Sequence, residues 1–116
     1  MVQLAAAAGK QSLLDESLEL WERANRLNPT MASYRLGWGQ ALGKAGKWRR
    51  AEELLDAATK EFPTDKRLWH LFIEAKLRRN APQAAAQGLE ILVRLTPDSE
   101  RVIRTWFADH AYSAKP

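Results

Sequence analysis

Leu27-Asn28-Pro29, Glu61-Phe62-Pro63 and Leu95-Thr96-Pro97 decide the fold, because their prolines stand 34 residues apart and each lies between two helical patterns. Proline has no amide hydrogen and a fixed φ, so it stops one helix and shapes the turn into the next. Other residues keep the same phase. Twelve residues before each proline stand Ser17, Ala51 and Ala85, all small. Eight before stand Trp21, Leu55 and Leu89, all large and apolar, and five before stand Ala24, Ala58 and Leu92. Small residues let helix backbones approach, and large ones fill the space between them. A helix pair of this kind cannot bury its apolar face alone, so neighbouring units must stack. The pattern predicts helices over 2–8, 11–27, 31–44, 48–61, 65–78, 81–94 and 98–112, about seven in an all-α chain.

Working outward from the prolines, the chain reads as a single repeat domain over 1–116. It contains a truncated first repeat (1–31), two full repeats (32–65 and 66–99) and a closing helix (100–112). The closing helix starts well: Thr96-Pro97-Asp98-Ser99-Glu100 places proline and acids in the first turn. Its inward stripe is Ile103, Trp106, Phe107 and His110 at helical spacing; it reads as the first helix of a further repeat or as a terminal cap, whose polar outer face Arg101, Arg104 and Asp109 would supply. Ala114-Lys115-Pro116 reads as a frayed tail.

Composition narrows the class. The 116 residues are 46% hydrophobic and 28% charged, the balance of a folded soluble domain. No apolar run approaches the roughly 18 residues of a membrane span. The absence of cysteine excludes disulfides and thiolate metal sites, and two histidines leave little for any metal centre. The opening Met1-Val2-Gln3-Leu4 and the alanines after it lack the charged region and apolar core of a secretion signal, so a cytoplasmic location is expected. The missing start of the first repeat favours an excised piece of a longer protein, for which the cytoplasmic inference loses most of its force.

With its 34-residue period, the chain resembles the tetratricopeptide repeat family. The middle unit carries the likeness best, through Trp38, Gly39, Leu42, Ala51, Leu55, Ala58 and Pro63 and through the turn Gly46-Lys47-Trp48-Arg49-Arg50-Ala51. The next unit matches at Trp69, Phe72, Ala85, Leu89 and Pro97. It departs where Ile73 replaces a small residue and Lys76 an aromatic one, which suggests a locally altered helix crossing. The resemblance implies a right-handed superhelix of antiparallel helix pairs and a non-enzymatic scaffold or adaptor that binds a protein segment. Self-association through the ends of the stack is a further implied partner interaction.

Catalytic patterns are absent from the sequence. Gly37-Trp38-Gly39 does not continue as a dinucleotide motif, and Gly43-Lys44-Ala45-Gly46-Lys47 lacks phosphate-loop spacing. No cofactor is expected. Acids at Asp15, Glu16, Glu19 and Glu22, and at Glu52, Glu53 and Asp56, sit at helical spacing and read as solvated faces. Glu19 with Arg23 and Glu22 with Arg26 form favourable i,i+4 pairs. The five tryptophans read as packing residues, with Trp48, in a turn, the exception to full burial.

A binding surface is expected on the first helix of each unit. In the family, residues rotated away from the packed stripe line the concave ligand groove. Here they include Ser33, Leu36, Gln40, Gly43 and Lys44, then Arg67, His70, Glu74, Leu77 and Arg78, then Arg101, Arg104, Ala108, Ala111 and Tyr112. The candidate partner-binding residues are Gln40, Lys44, Arg67, His70, Glu74, Arg78, Arg101 and Arg104. Five bases against Glu74 would place the whole formal excess of +4 on one face. That face suits an acidic peptide, since guanidinium pairs with carboxylates in a bidentate fashion. Solubilising charge on an exposed face is the simpler alternative. The carboxylate clamp of chaperone-tail-binding relatives is argued against, because Leu36, Leu71 and Thr105 depart from it and only Arg101 and, loosely, Gln40 agree. RNA binding is the alternative from another class, and the modest charge argues against nucleic acid. A third reading is a regulatory or dimerising region of a larger enzyme.

Overall fold

Helix signals and observed helices coincide along most of the chain. The computed structural model describes residues 2–114, and side-chain burial over 12–111. The helices are α1 (Val2–Leu27), α2 (Ala32–Lys44), α3 (Trp48–Glu61), α4 (Lys66–Arg78), α5 (Pro82–Leu95) and α6 (Glu100–Ala114), with a 3-10 turn at Pro97–Ser99 before α6. Asp65 lies just outside α4 as its N-cap, its side chain accepting from the amides of Arg67 and Leu68. Pro82 opens α5, where no amide hydrogen is needed.

The N-terminal expectation is corrected. Segments 2–8 and 11–27 are one helix of 26 residues, so the described residues hold six α-helices rather than about seven. Gly9 lies within it, beside four alanines, and a single interior glycine costs only about 1 kcal/mol of helix propensity. The tail at 115–116, Met1 and the side chain of Tyr112 lie outside the described residues.

The helices stack as repeating antiparallel pairs. Consecutive helices pack together throughout, and α2 also touches α4, as α4 touches α6. Among the described residues, α1, α3 and α5 do not approach one another. The radius of gyration is 15.5 Å, above the roughly 13 Å of a compact globule of this length. The core accordingly runs along the stack in two adjoining clusters. Leu42, Ala51, Leu55, Ala58 and Leu68 centre the first, and Ile73, Ala85, Leu89 and Leu92 the second. α4 feeds both, because opposite faces of it are covered by α3 and α5.

Two repeat turns are built alike. Gly46 has φ +74° and Asn80, 34 residues later, has φ +60°. The next amide after each reaches back into the helix: Lys47 N donates to Leu42 O and Ala81 N to Lys76 O, both at 2.8 Å. This is the left-handed C-terminal closure that glycine, and then asparagine, adopt most readily.

The departure at Ile73 has a clear structural counterpart. In the middle unit a Cβ on Gly39 of α2 would meet Leu71 at 2.9 Å and Leu54 of α3 at 3.5 Å. In the next unit the sizes are exchanged. Ile73 is fully buried on α4, and the small residue is Gly88 of α5, where a Cβ would meet Phe72 at 2.9 Å and Ile73 at 3.2 Å. The helix pair stays close because the glycine has changed sides. Lys76, in place of an aromatic, lies 3.0 Å from Asp56 and 3.4 Å from Glu52 of α3, with its ammonium 5.1 Å from the Phe72 ring centre. Arg79 also reaches Glu52 at 3.6 Å. Glu52 and Asp56 are therefore cross-helix partners rather than a simple solvated face. Glu22–Arg26 pairs as expected at 2.9 Å, while Glu19 and Arg23 form no ion pair among the described residues. All five tryptophans are half-buried, so Trp48 is no exception.

Candidate functional site

The first helices of successive units, α2, α4 and α6, line an open cleft of about 610 Å³. Its apolar side is Leu36 of α2, Leu71 of α4, and Val102 and Ile103 of α6. Val102 is 72% exposed, so the cleft presents hydrophobic surface that no element of the described chain covers. Gln40, Lys66, Arg67, His70 and Glu74 supply its polar edge. The alternation arises from helix periodicity: Leu71 turns into the core, and Arg67, His70 and Glu74 share the adjoining stripe of α4. A second hollow of about 660 Å³ around the α3–α4 turn shares Lys66 and Arg67 but lacks the leucine floor. The first cleft offers both an anchor and charge, which a ligand site combines.

Four of the eight candidate residues meet in this cleft: Gln40, Arg67, His70 and Glu74. Lys44 and Arg101 are exposed but do not line it. Arg78 lies over the Trp48 ring, 5.5 Å from its centre. Arg104 turns toward α5, with Glu90 at 2.9 Å and Glu100 of its own helix at 2.8 Å. Leu77, read as part of the groove stripe, is buried in the second core cluster because α5 packs over that side of α4.

The electrostatics also differ from the sequence tally, because bases are paired with nearby acids. Arg67 is 3.0 Å from Asp65. Its hydrogen bond holds the Asp65 carboxyl below its ordinary range and raises the guanidinium. Hydrogen bonds with Glu90 and Glu100 likewise raise Arg104, and Arg104 lowers Glu90. Much of the expected positive face is therefore locally neutralised. Lys66 was not among the candidates, and it lines the cleft without an ion pair among the described residues. Its signal in the sequence was weak, since it occupies the first turn of α4, where a groove residue and a helix-start residue look alike.

His70 stacks on Trp106 of α6 with ring centres 4.2 Å apart, and His110 lies 4.4 Å from the same tryptophan. Burial of the His70 ring lowers its pKa below 6.5; Glu74 opposes the shift and His110 adds to it. His110 Nδ1 also sits 2.9 Å from the Trp106 carbonyl oxygen. Among the described residues, no group of three or more histidines and acids is placed to hold a metal ion. No helix there is long and apolar enough to cross a membrane.

A family model described as tetratricopeptide repeat matches residues 42–104, more than half of the chain. No curated protein matches the sequence.

Proposed function

This chain belongs to the tetratricopeptide repeat family, a protein–protein interaction scaffold and typically a non-catalytic module, and from that premise we propose that it binds a peptide segment of a partner protein in the α2–α4–α6 cleft. The observation that carries the reading is the pairing of apolar surface, half-buried Leu36 and exposed Val102, with Lys66 and Arg67 on one edge. The contact of α2, α4 and α6, against the separation of α1, α3 and α5, supports reading this row as the inner side of the stack. The ligand is an extended segment with an apolar side chain for the floor and a neighbouring carboxylate for the basic edge. Arg67 is already paired with Asp65, and Glu74 lines the cleft beside Lys66, so a single acid suits it better than a long acidic run. They do not form the track of phosphate contacts on which RNA binding rests.

Panning a displayed library of random peptides against the full chain tests the proposal. Selected sequences should share an apolar residue beside Asp or Glu. Lys66→Glu with Arg67→Glu should weaken them at least about tenfold, the loss expected when charge-assisted contacts become repulsive. Leu36→Asp should do the same through the floor. Equal binding by these variants, with helicity intact, would place the site elsewhere.

A further inference from the structure

Leu13, Leu20 and Leu27 form an exposed ridge on α1, at 67%, 62% and 73% exposure. They are spaced by seven, so successive members drift only about 20° around the helix. The face that packs on α2 is a different one: Leu18 and Asn25 are buried there, and the Asn25 amide donates to the Tyr34 carbonyl at 3.0 Å.

The repeat phase explains what the ridge is. Leu20 lies nine residues before Pro29, as Leu54 lies before Pro63 and Gly88 before Pro97. Leu54 is packed beside Gly39, and Gly88 beside Phe72 and Ile73, so each is covered by the first helix of its own unit. Leu20 has the same geometric role with nothing over it among the described residues. Leu20, at the centre of the ridge, is thus a helix-accepting position whose helix is not supplied by the described chain.

We propose that a second copy of this chain supplies it, through antiparallel pairing of α1 with α1 about a two-fold axis near Leu20. Three features of α1 select this occupant. Leucine every seventh residue, with the small Ser17 and Ala24 at the alternate seam positions, is a coiled-coil pattern that permits close approach. A single face must be self-complementary to form a two-fold dimer, and this one is: Leu20 meets its own copy, and Leu13 meets Leu27. Charge sets the direction. Glu16 and Arg23 flank the seam nearly equidistant from Leu20 and are both exposed. Antiparallel pairing therefore brings Glu16 of each chain to Arg23 of the other, twice. Among the described residues α1 contributes nothing to the cleft lining, so the dimer leaves both clefts open and presents them together to a bivalent partner.

Sedimentation of the full chain from about 1 to about 200 µM should show a reversible dimer, weak because the interface is small. Leu20→Glu should make it monomeric with its helical content unchanged, since Leu20 is exposed. Glu16→Arg and Arg23→Glu should each weaken the dimer on the order of fivefold or more, and the two together in one chain should restore it. The chain has no cysteine, so introduced thiols report register cleanly. Leu13→Cys mixed with Leu27→Cys should cross-link on oxidation, and Leu13→Cys alone should not. A monomer throughout the range, a persistent dimer in Leu20→Glu, no rescue by the double charge swap, or self-linking of Leu13→Cys would each overturn the proposal.

Discussion

At the scale of single residues, backbone conformation decides more than side-chain identity does. Gly46 and Asn80 occupy the same repeat turn with the same left-handed φ. The left-handed region costs a residue with an ordinary Cβ roughly 1–2 kcal/mol, which glycine avoids and asparagine partly offsets. Asn80→Ala should therefore lose about 1 kcal/mol in denaturant unfolding, while Asn80→Gly should not. Equal losses for both would mean that the Asn80 side chain, not its φ, secures the turn. The residue scale also shows where sequence reading stopped. Gly46 was legible as a turn because glycine announces itself. At Asn80 the turn was legible from the helix spacing over 65–78 and 81–94, but the left-handed φ was not, because asparagine, unlike glycine, more often takes an ordinary negative φ.

Between elements, the exchange of sizes across the repeats is the main result. Gly39 opposes Leu54 in one unit, and Ile73 opposes Gly88 in the next. Gly88→Leu alone should destabilise by about 1–3 kcal/mol, as overfilled contacts do. Combined with Ile73→Ala, which recreates the middle unit's arrangement, it should cost less than the two single changes summed, with a coupling of about 0.5–3 kcal/mol. Strict additivity in thermal or denaturant unfolding would show that the two residues do not share one space. Ile73 looked like a flaw when each helix was read against a pattern. It fits once both helices of the unit are read together, because packing constrains the sum of two facing volumes and not each alone.

In the whole molecule, stability is distributed over successive helix interfaces, so an end helix depends on few neighbours. α6 rests on α4 and α5, and the His70–Trp106 stack joins it to the α4 row. The folded state holds His70 with a lowered pKa, so it binds fewer protons there than the unfolded chain does as the solution falls through about pH 6.5. Acidification therefore removes stability. The fall in melting temperature from about pH 7.5 to about pH 5.5 should be smaller in His70→Phe, which keeps the stack without the charge. Identical falls would remove His70 as the source. The cleft itself is a property of this scale. Its walls come from α2, α4 and α6, and no local pattern predicts that Arg104 turns to Glu90 while Val102 stays open.

The period, the helices after residue 27 and the small and large residues that make the units stack are all legible in the amino-acid order alone. Each of these follows from local constraints, namely proline geometry and helical spacing, repeated three times over. Half of the candidate site was legible for the same reason: Gln40, Arg67, His70 and Glu74 share helix phases that periodicity fixes. Which charges remain available depends partly on helix packing: Arg104 reaches Glu90 of α5 across a helix interface, whereas Arg67 pairs with Asp65 only two residues away. The structure likewise decided that the leucine ridge of α1 is open, because exposure belongs to the arrangement of neighbours and is not written in any one helix.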